Sequence, residues 1–101
     1  MKYIYNEENN TLVVKLDEEI DMSSCRALRN IIDGYILKYS PKECIFDLED
    51  VSFMDSSGLG LIIGRYNLIK MMGSNMCLQS PCQSIRKVLE LSNIGESIRI
   101  V

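Results

Sequence analysis

The sequence contains no histidine. A Ser-His-Asp relay is therefore impossible, and Ser56 has no general base near it in sequence beyond Asp55. The four cysteines, Cys25, Cys44, Cys77 and Cys82, form no C-x-x-C pair, so a zinc site is not expected from the usual ligand spacings. Cys44 and Cys77 fall in strand-like runs and read as small buried hydrophobes. Spacing leaves a disulfide between them open, while a reducing compartment would disfavour it. A Walker A lysine–hydroxyl pair is also missing. Basic charge is not in excess: the formal net charge is −3, which offers nothing to attract a nucleic acid. No apolar run approaches the roughly 20 residues that cross a bilayer. Met1 to Tyr5 runs directly into Asn6-Glu7-Glu8, so no signal-peptide apolar region is present. A cytoplasmic protein without nucleic-acid or membrane partners is expected.

What is present is a chain of 101 residues, 47% hydrophobic and 25% charged, which suits one small globular domain over residues 1–101. Tyr3–Tyr5 and Thr11–Leu16 read as two strands around a polar turn. Asp21 or Ser23 caps a helix whose apolar face is Leu28, Ile31, Ile32, Tyr35 and Tyr39, and Ser40-Pro41 ends it. Cys44–Leu48 is a strand. A helix over about 57–72 follows, with Leu59, Ile62, Ile63, Tyr66 and Ile69 at the spacing of one face. Gly73-Ser74-Asn75 stops it, and Met76–Gln79 is a short strand. Ser80-Pro81-Cys82-Gln83 fits a capping box with proline at the first helical position. That helix carries Ile85, Val88 and Leu89 on its core face, and residues 97–101 read as an edge strand. The order predicts an α/β fold with a mixed β-sheet and helices packed on it.

The chain is organised around Asp55-Ser56-Ser57-Gly58-Leu59-Gly60, where strand gives way to helix. Asp55, Ser56 and Ser57 are all good N-cap residues. A hydroxyl at a helix N-terminus is also a favourable place for a phosphate, because the orphan amides and the dipole favour negative charge. From spacing alone, capping is the commoner role. Gly58 to Gly64 comes near a dinucleotide fingerprint but has one residue too many before the last glycine. If the predicted stripe faces the sheet, Leu61, Arg65 and Leu68 point away from it. They then either meet another helix or form an apolar patch for a partner. Leu61→Asp would in the second case weaken partner binding and leave the fold intact. Gly60 and Gly64 leave a shallow flank that permits close approach.

Val51-Ser52-Phe53-Met54-Asp55-Ser56-Ser57-Gly58-Leu59-Gly60, continuing through Ile63-Gly64-Arg65-Tyr66, resembles the signature of STAS-domain anti-sigma factor antagonists. The likeness is strongest to the branch that acts in sporulation sigma-F control. Glu19-Ile20-Asp21 is similar to the family's second marker, with Glu18 standing where glycine is common. The resemblance implies a STAS domain, a fold that usually carries one further helix beyond the last strand read here. It implies phosphorylation on Ser56, with Ser57 the weaker candidate, and places Asp21 near that site. Asp21, Asp55, Ser57, Gly58, Leu59, Gly60 and Leu61 would contact the partner.

That partner is implied to be an anti-sigma factor serine kinase, which the unphosphorylated form binds so that the sigma factor is released. The kinase brings its own Mg-ATP, so this chain needs no cofactor, and a PP2C-type phosphatase resets the switch. The antagonist is expected to be a monomer when free and not an enzyme. The alternatives are a STAS interaction module of a stress-sensing complex or lipid-transport system, or a nucleotide-binding module using the glycine-rich turn.

Overall fold

The computed structural model describes residues 1–101. Strands β1 (Lys2–Asn6) and β2 (Thr11–Lys15) pair antiparallel, with Tyr3 opposite Val14 and Tyr5 opposite Leu12. Asn6 closes the turn between them by accepting the Glu8 amide through its side chain, and Asn10 takes a left-handed φ of 51°. Asparagine tolerates that conformation better than most residues. Helix α1 (Met22–Tyr39) follows, then β3 (Glu43–Asp47), α2 (Ser56–Met71), β4 (Asn75–Gln79), α3 (Gln83–Leu91) and β5 (Arg99–Ile100).

The five strands lie in the order β1-β2-β3-β4-β5, parallel from β2 onward. A sheet that advances in one direction through right-handed crossovers receives all its helices on one face. Burial agrees with that. Leu12, Val14, Cys44, Phe46, Met76 and Leu78 share one core cluster with Leu28, Ile32 and Ile36 of α1, Leu61, Ile62 and Ile69 of α2, and Ile85 and Leu89 of α3. On the opposite face Val13 and Ile45 are only half-buried and Ile4 is exposed. β2 and β3 therefore alternate, although parallel strands covered on both faces read as continuous apolar runs. Tyr3 and Tyr5 tie the edge strand to α1 by stacking on Tyr35 and Tyr39, with ring centroids 3.9 and 4.3 Å apart. Such pairs add about 0.5–1.5 kcal/mol beyond their burial.

The mixed sheet and the element order match expectation, while several local readings are corrected. On α1, Ile31 is 45% exposed and Ile36 fully buried, because a core stripe with 3.6-residue period continues from Leu28 and Ile32 to Ile36. Ser80-Pro81 does not open α3. Ser80 is left-handed at φ 55°, the N-cap is Cys82, and no side chain caps the helix. Ser80 instead donates its amide to the Val101 carbonyl, at 2.9 Å, which holds it with the end of the chain rather than with α3. A short 3-10 turn, Ile94–Glu96, takes up part of the last connection, so β5 is only two residues long.

All four cysteines are free thiols. Cys44 stands opposite Met76, one register position from Cys77. Successive residues of a strand face opposite sides of the sheet, so Cys44 lies in the helix-covered core and Cys77 on the other face. A disulfide between them is excluded by geometry. Burial pushes the Cys44 thiol up to about 12.

Candidate functional site

Two aspartates cap two helices at the same end of the sheet. Asp21 accepts the amides of Ser23 and Ser24 at 3.0 and 3.1 Å and the Ser23 hydroxyl at 2.7 Å. The Asp21 amide in turn donates to Ser24 Oγ at 3.2 Å, closing a capping box. The Ser23 hydroxyl and the Ser24 amide hold the Asp21 carboxyl below its ordinary value. Asp55 caps α2 in the same way, accepting the amides of Ser57 and Gly58 at 2.8 and 3.2 Å.

The backbone joins the two caps. The Ile20 amide donates to the Phe53 carbonyl at 3.0 Å, and the Asp55 amide donates to the Ile20 carbonyl at 3.3 Å. This is an isolated parallel bridge between Ile20 and Met54. The loop carrying Asp21 is thus held against the Phe53–Asp55 segment that leads into α2. Cys25 senses both carboxylates: burial raises its thiol first, and the charges of Asp55 and Asp21 raise it further.

Gly58 makes the junction possible. A Cβ at this position would lie 2.5 Å from Met54 Cγ and 2.9 Å from the Ile20 carbonyl oxygen. The methionine side chain can move, but the backbone oxygen cannot without breaking the bridge. Gly58→Ala should cost about 1–3 kcal/mol, the usual range for overpacking, measured as a lower urea midpoint. An unchanged midpoint would show that the Ile20 loop is free to retreat.

Ser56 is the first residue of α2 and is exposed, whereas Ser57 is half-buried. Ser56 is thus the more exposed of the two serines. The amides beside it are less free than a bare helix start would offer, because Asp55 already occupies those of Ser57 and Gly58. Leu59 is half-buried and Gly60 exposed.

Leu61 is corrected. It is 4% exposed and belongs to the core cluster, and Arg65 is 8% exposed. The buried stripe of α2 runs Gly58, Leu61, Ile62, Arg65 and Ile69, while Ile63, expected inside, is 44% exposed. The reason is tertiary: α2 packs against α1 along one flank as well as on the sheet. Arg65 Nε approaches Asp33 Oδ1 of α1 to 2.6 Å. The N–H is not aimed well enough for a hydrogen bond, but opposite charges at that separation attract at any angle. Leu61 is therefore a packing residue of the core and not the outward-facing side chain that spacing suggested.

The glycine-rich turn is corrected as well. Gly58, Gly60 and Gly64 all lie inside α2. None forms the strand-to-helix loop that a dinucleotide phosphate requires.

Two apolar side chains that spacing did not single out stand exposed around the bridge, Met22 at 79% and Phe53 at 47%. Met22 opens α1 directly after the Asp21 cap, and Phe53 accepts the Ile20 amide. The available signal was position alone: each sits within two residues of a capping aspartate.

The STAS domain model matches residues 2–101. An anti-sigma F factor antagonist of Lysinibacillus sphaericus is 34% identical over 85 residues, covering 84% of this chain and 73% of that protein. One from Paenibacillus polymyxa is 32% identical over 83 residues, covering 82% and 71%. Among solved structures, the anti-sigma factor antagonist SpoIIAA in its unphosphorylated form superposes with a TM-score of 0.75 at 26% identity, covering 99% of this chain and 86% of that one. The Bacillus cell fate determinant SpoIIAA in its phosphorylated form gives 0.72 at 28%, covering 99% and 91%. With the family pattern spanning residues 2–101 and the fold superposing over 99% of the chain, this chain belongs to the STAS domain family.

Proposed function

We propose that the protein is an anti-sigma factor antagonist controlled by phosphorylation of Ser56. Unphosphorylated, it binds an anti-sigma factor that is also a serine kinase, and the sigma factor is released. The kinase transfers the γ-phosphoryl group of its own ATP to Ser56, the complex separates, and a PP2C-type phosphatase restores the hydroxyl. The chain acts by binding rather than catalysis, in the cytoplasm. The observation that carries this reading is the exposed Ser56 hydroxyl at the start of α2, beside two bridged aspartate caps. Relatives named as antagonists of anti-sigma factors, one solved with and without phosphate, support it.

Asp21, Asp55, Ser57, Gly58, Leu59 and Gly60 surround the hydroxyl in this reading. Asp21 and Asp55 hold the two helix starts in register, and Gly58 lets them approach. The test is incubation with the anti-sigma kinase of the same organism and ATP, followed by phosphosite mapping. Phosphate is expected on Ser56, and none on Ser56→Ala. A phosphate mainly on Ser57, with Ser56→Ala still modified, would show the assignment to be wrong.

A further inference from the structure

Beside Ser57, a groove of about 410 Å³ runs between α1 and α2, with Arg26 and Arg29 on one wall and Gly60, Gly64 and Arg65 on the other. Its charge is one-sided. Three of its residues are arginines and none is a carboxylate, in a chain with 14 acidic and 11 basic residues. None of the molecule's four ion pairs involves Arg26 or Arg29, which are both exposed. Arg65 is nine-tenths buried and spends its charge on Asp33. Burial lowers its pKa first; Asp33 opposes that and the neighbouring Arg29 adds to it. Asp21 and Asp55, near the Cys25 end, are both committed as helix caps. Arg65 is thus paired within the fold, while Arg26 and Arg29 stand at the groove without an ion-pair partner.

We propose that this groove docks an acidic segment of the anti-sigma factor. The proposal rests on the function proposed above and deepens it. Arginine forks match carboxylates in geometry as well as charge. Gly60 and Gly64 keep one wall bare: a Cβ at either would meet nothing within 4 Å, so a peptide backbone can lie close to α2. Ser57, on the wall of the groove, is the residue next to Ser56. A nucleotide suits it less well, since no aromatic side chain lines it to stack a base and Asp55 already holds the first amides of α2. The switch then acquires a target. Phosphate on Ser56 places negative charge one residue from the Ser57 wall of a groove occupied by negative charge, and the segment is repelled.

The test is the double reversal Arg26→Glu with Arg29→Glu. Both side chains are exposed, so the fold should persist, checked by urea unfolding. Calorimetry and stopped-flow binding to the anti-sigma kinase should show at least about a tenfold loss of affinity, mostly in association rate, and a flatter salt dependence. In parallel, hexaglutamate titrated into isotope-labelled wild-type protein should shift the amides of Arg26, Arg29, Gly60 and Gly64, and should not do so in the double variant. Unchanged affinity in a folded variant overturns the docking inference and leaves the proposed function standing. Wild-type protein that binds no anti-sigma factor overturns the proposed function instead, and the hexaglutamate shifts then decide whether the groove recognises acidic chains. Groove shifts produced by ATP but not by hexaglutamate would identify a nucleotide site and also overturn it.

Discussion

Phosphorylation of Ser56 is expected to weaken binding to the anti-sigma factor by roughly 30- to several-thousand-fold while leaving the antagonist's fold unchanged. Ser56 is exposed at the first position of α2, so a phosphate enters without displacing any core side chain. It brings about −1.5 to −2 charges to a surface that already holds Asp55. The helix dipole favours it there, yet the amides of Ser57 and Gly58 are bonded to Asp55 Oδ1. The phosphate therefore stays on the outside, facing the partner. An unpaired charge in a buried interface costs about 2–5 kcal/mol, and each ~1.4 kcal/mol is tenfold in affinity, which sets the range.

Ser56→Ala should bind and never be released by phosphorylation. Ser56→Asp, with one charge and no phosphate geometry, should reproduce the loss only in part. Backbone chemical shifts of the free phosphorylated and unmodified forms, with partner affinities by calorimetry, decide the matter. Equal affinities, or shift changes spread through β2, β3 and β4, would sink a mechanism based on local charge.

Leu61→Asp is the other large effect, and its direction is opposite to the one suggested by spacing. With Leu61 4% exposed between α1 and the core, the substitution removes buried methyl groups and buries a carboxylate. Large-to-small substitutions alone cost about 2–5 kcal/mol, and an unpaired charge adds to that. A domain whose total stability is of the order of 5–15 kcal/mol should lose most of it. The expected result is a urea midpoint far below wild type, or no cooperative transition. Leu61→Met, which conserves volume, should cost less than about 1.5 kcal/mol and keep partner binding. A folded Leu61→Asp with weakened binding would return Leu61 to the partner surface.

Legibility divides along the range of the forces involved. Strands and caps depend on neighbours in the chain. The places of β2 and β3, the capping clusters at Asp21–Ser23 and Asp55–Ser57 and the exposed, hydroxyl-bearing junction could all be read from residue types a few positions apart. The STAS pattern around Asp55-Ser56-Ser57 pointed to residues that the fold sets at the start of α2.

The face of α2 could not be read this way. Apolar residues lie on several sides of that helix, and 3.6-residue spacing fits more than one stripe. Contact with α1 chose Leu61 and the Arg65–Asp33 pair over Ile63. Likewise Cys44 and Cys77 are 33 positions apart in sequence, and only the strand register put them on opposite faces.

By itself, then, the sequence determined the order of elements, a capping cluster before each of the first two helices and the serines between strand and helix, because each depends on local backbone geometry and capping. Only the tertiary structure decided how far α2 is rotated, that Gly58 admits the Ile20 loop, and that Arg26, Arg29 and Arg65 line one groove. These depend on packing between segments distant in the chain, where shape and charge are settled by the neighbour across the interface.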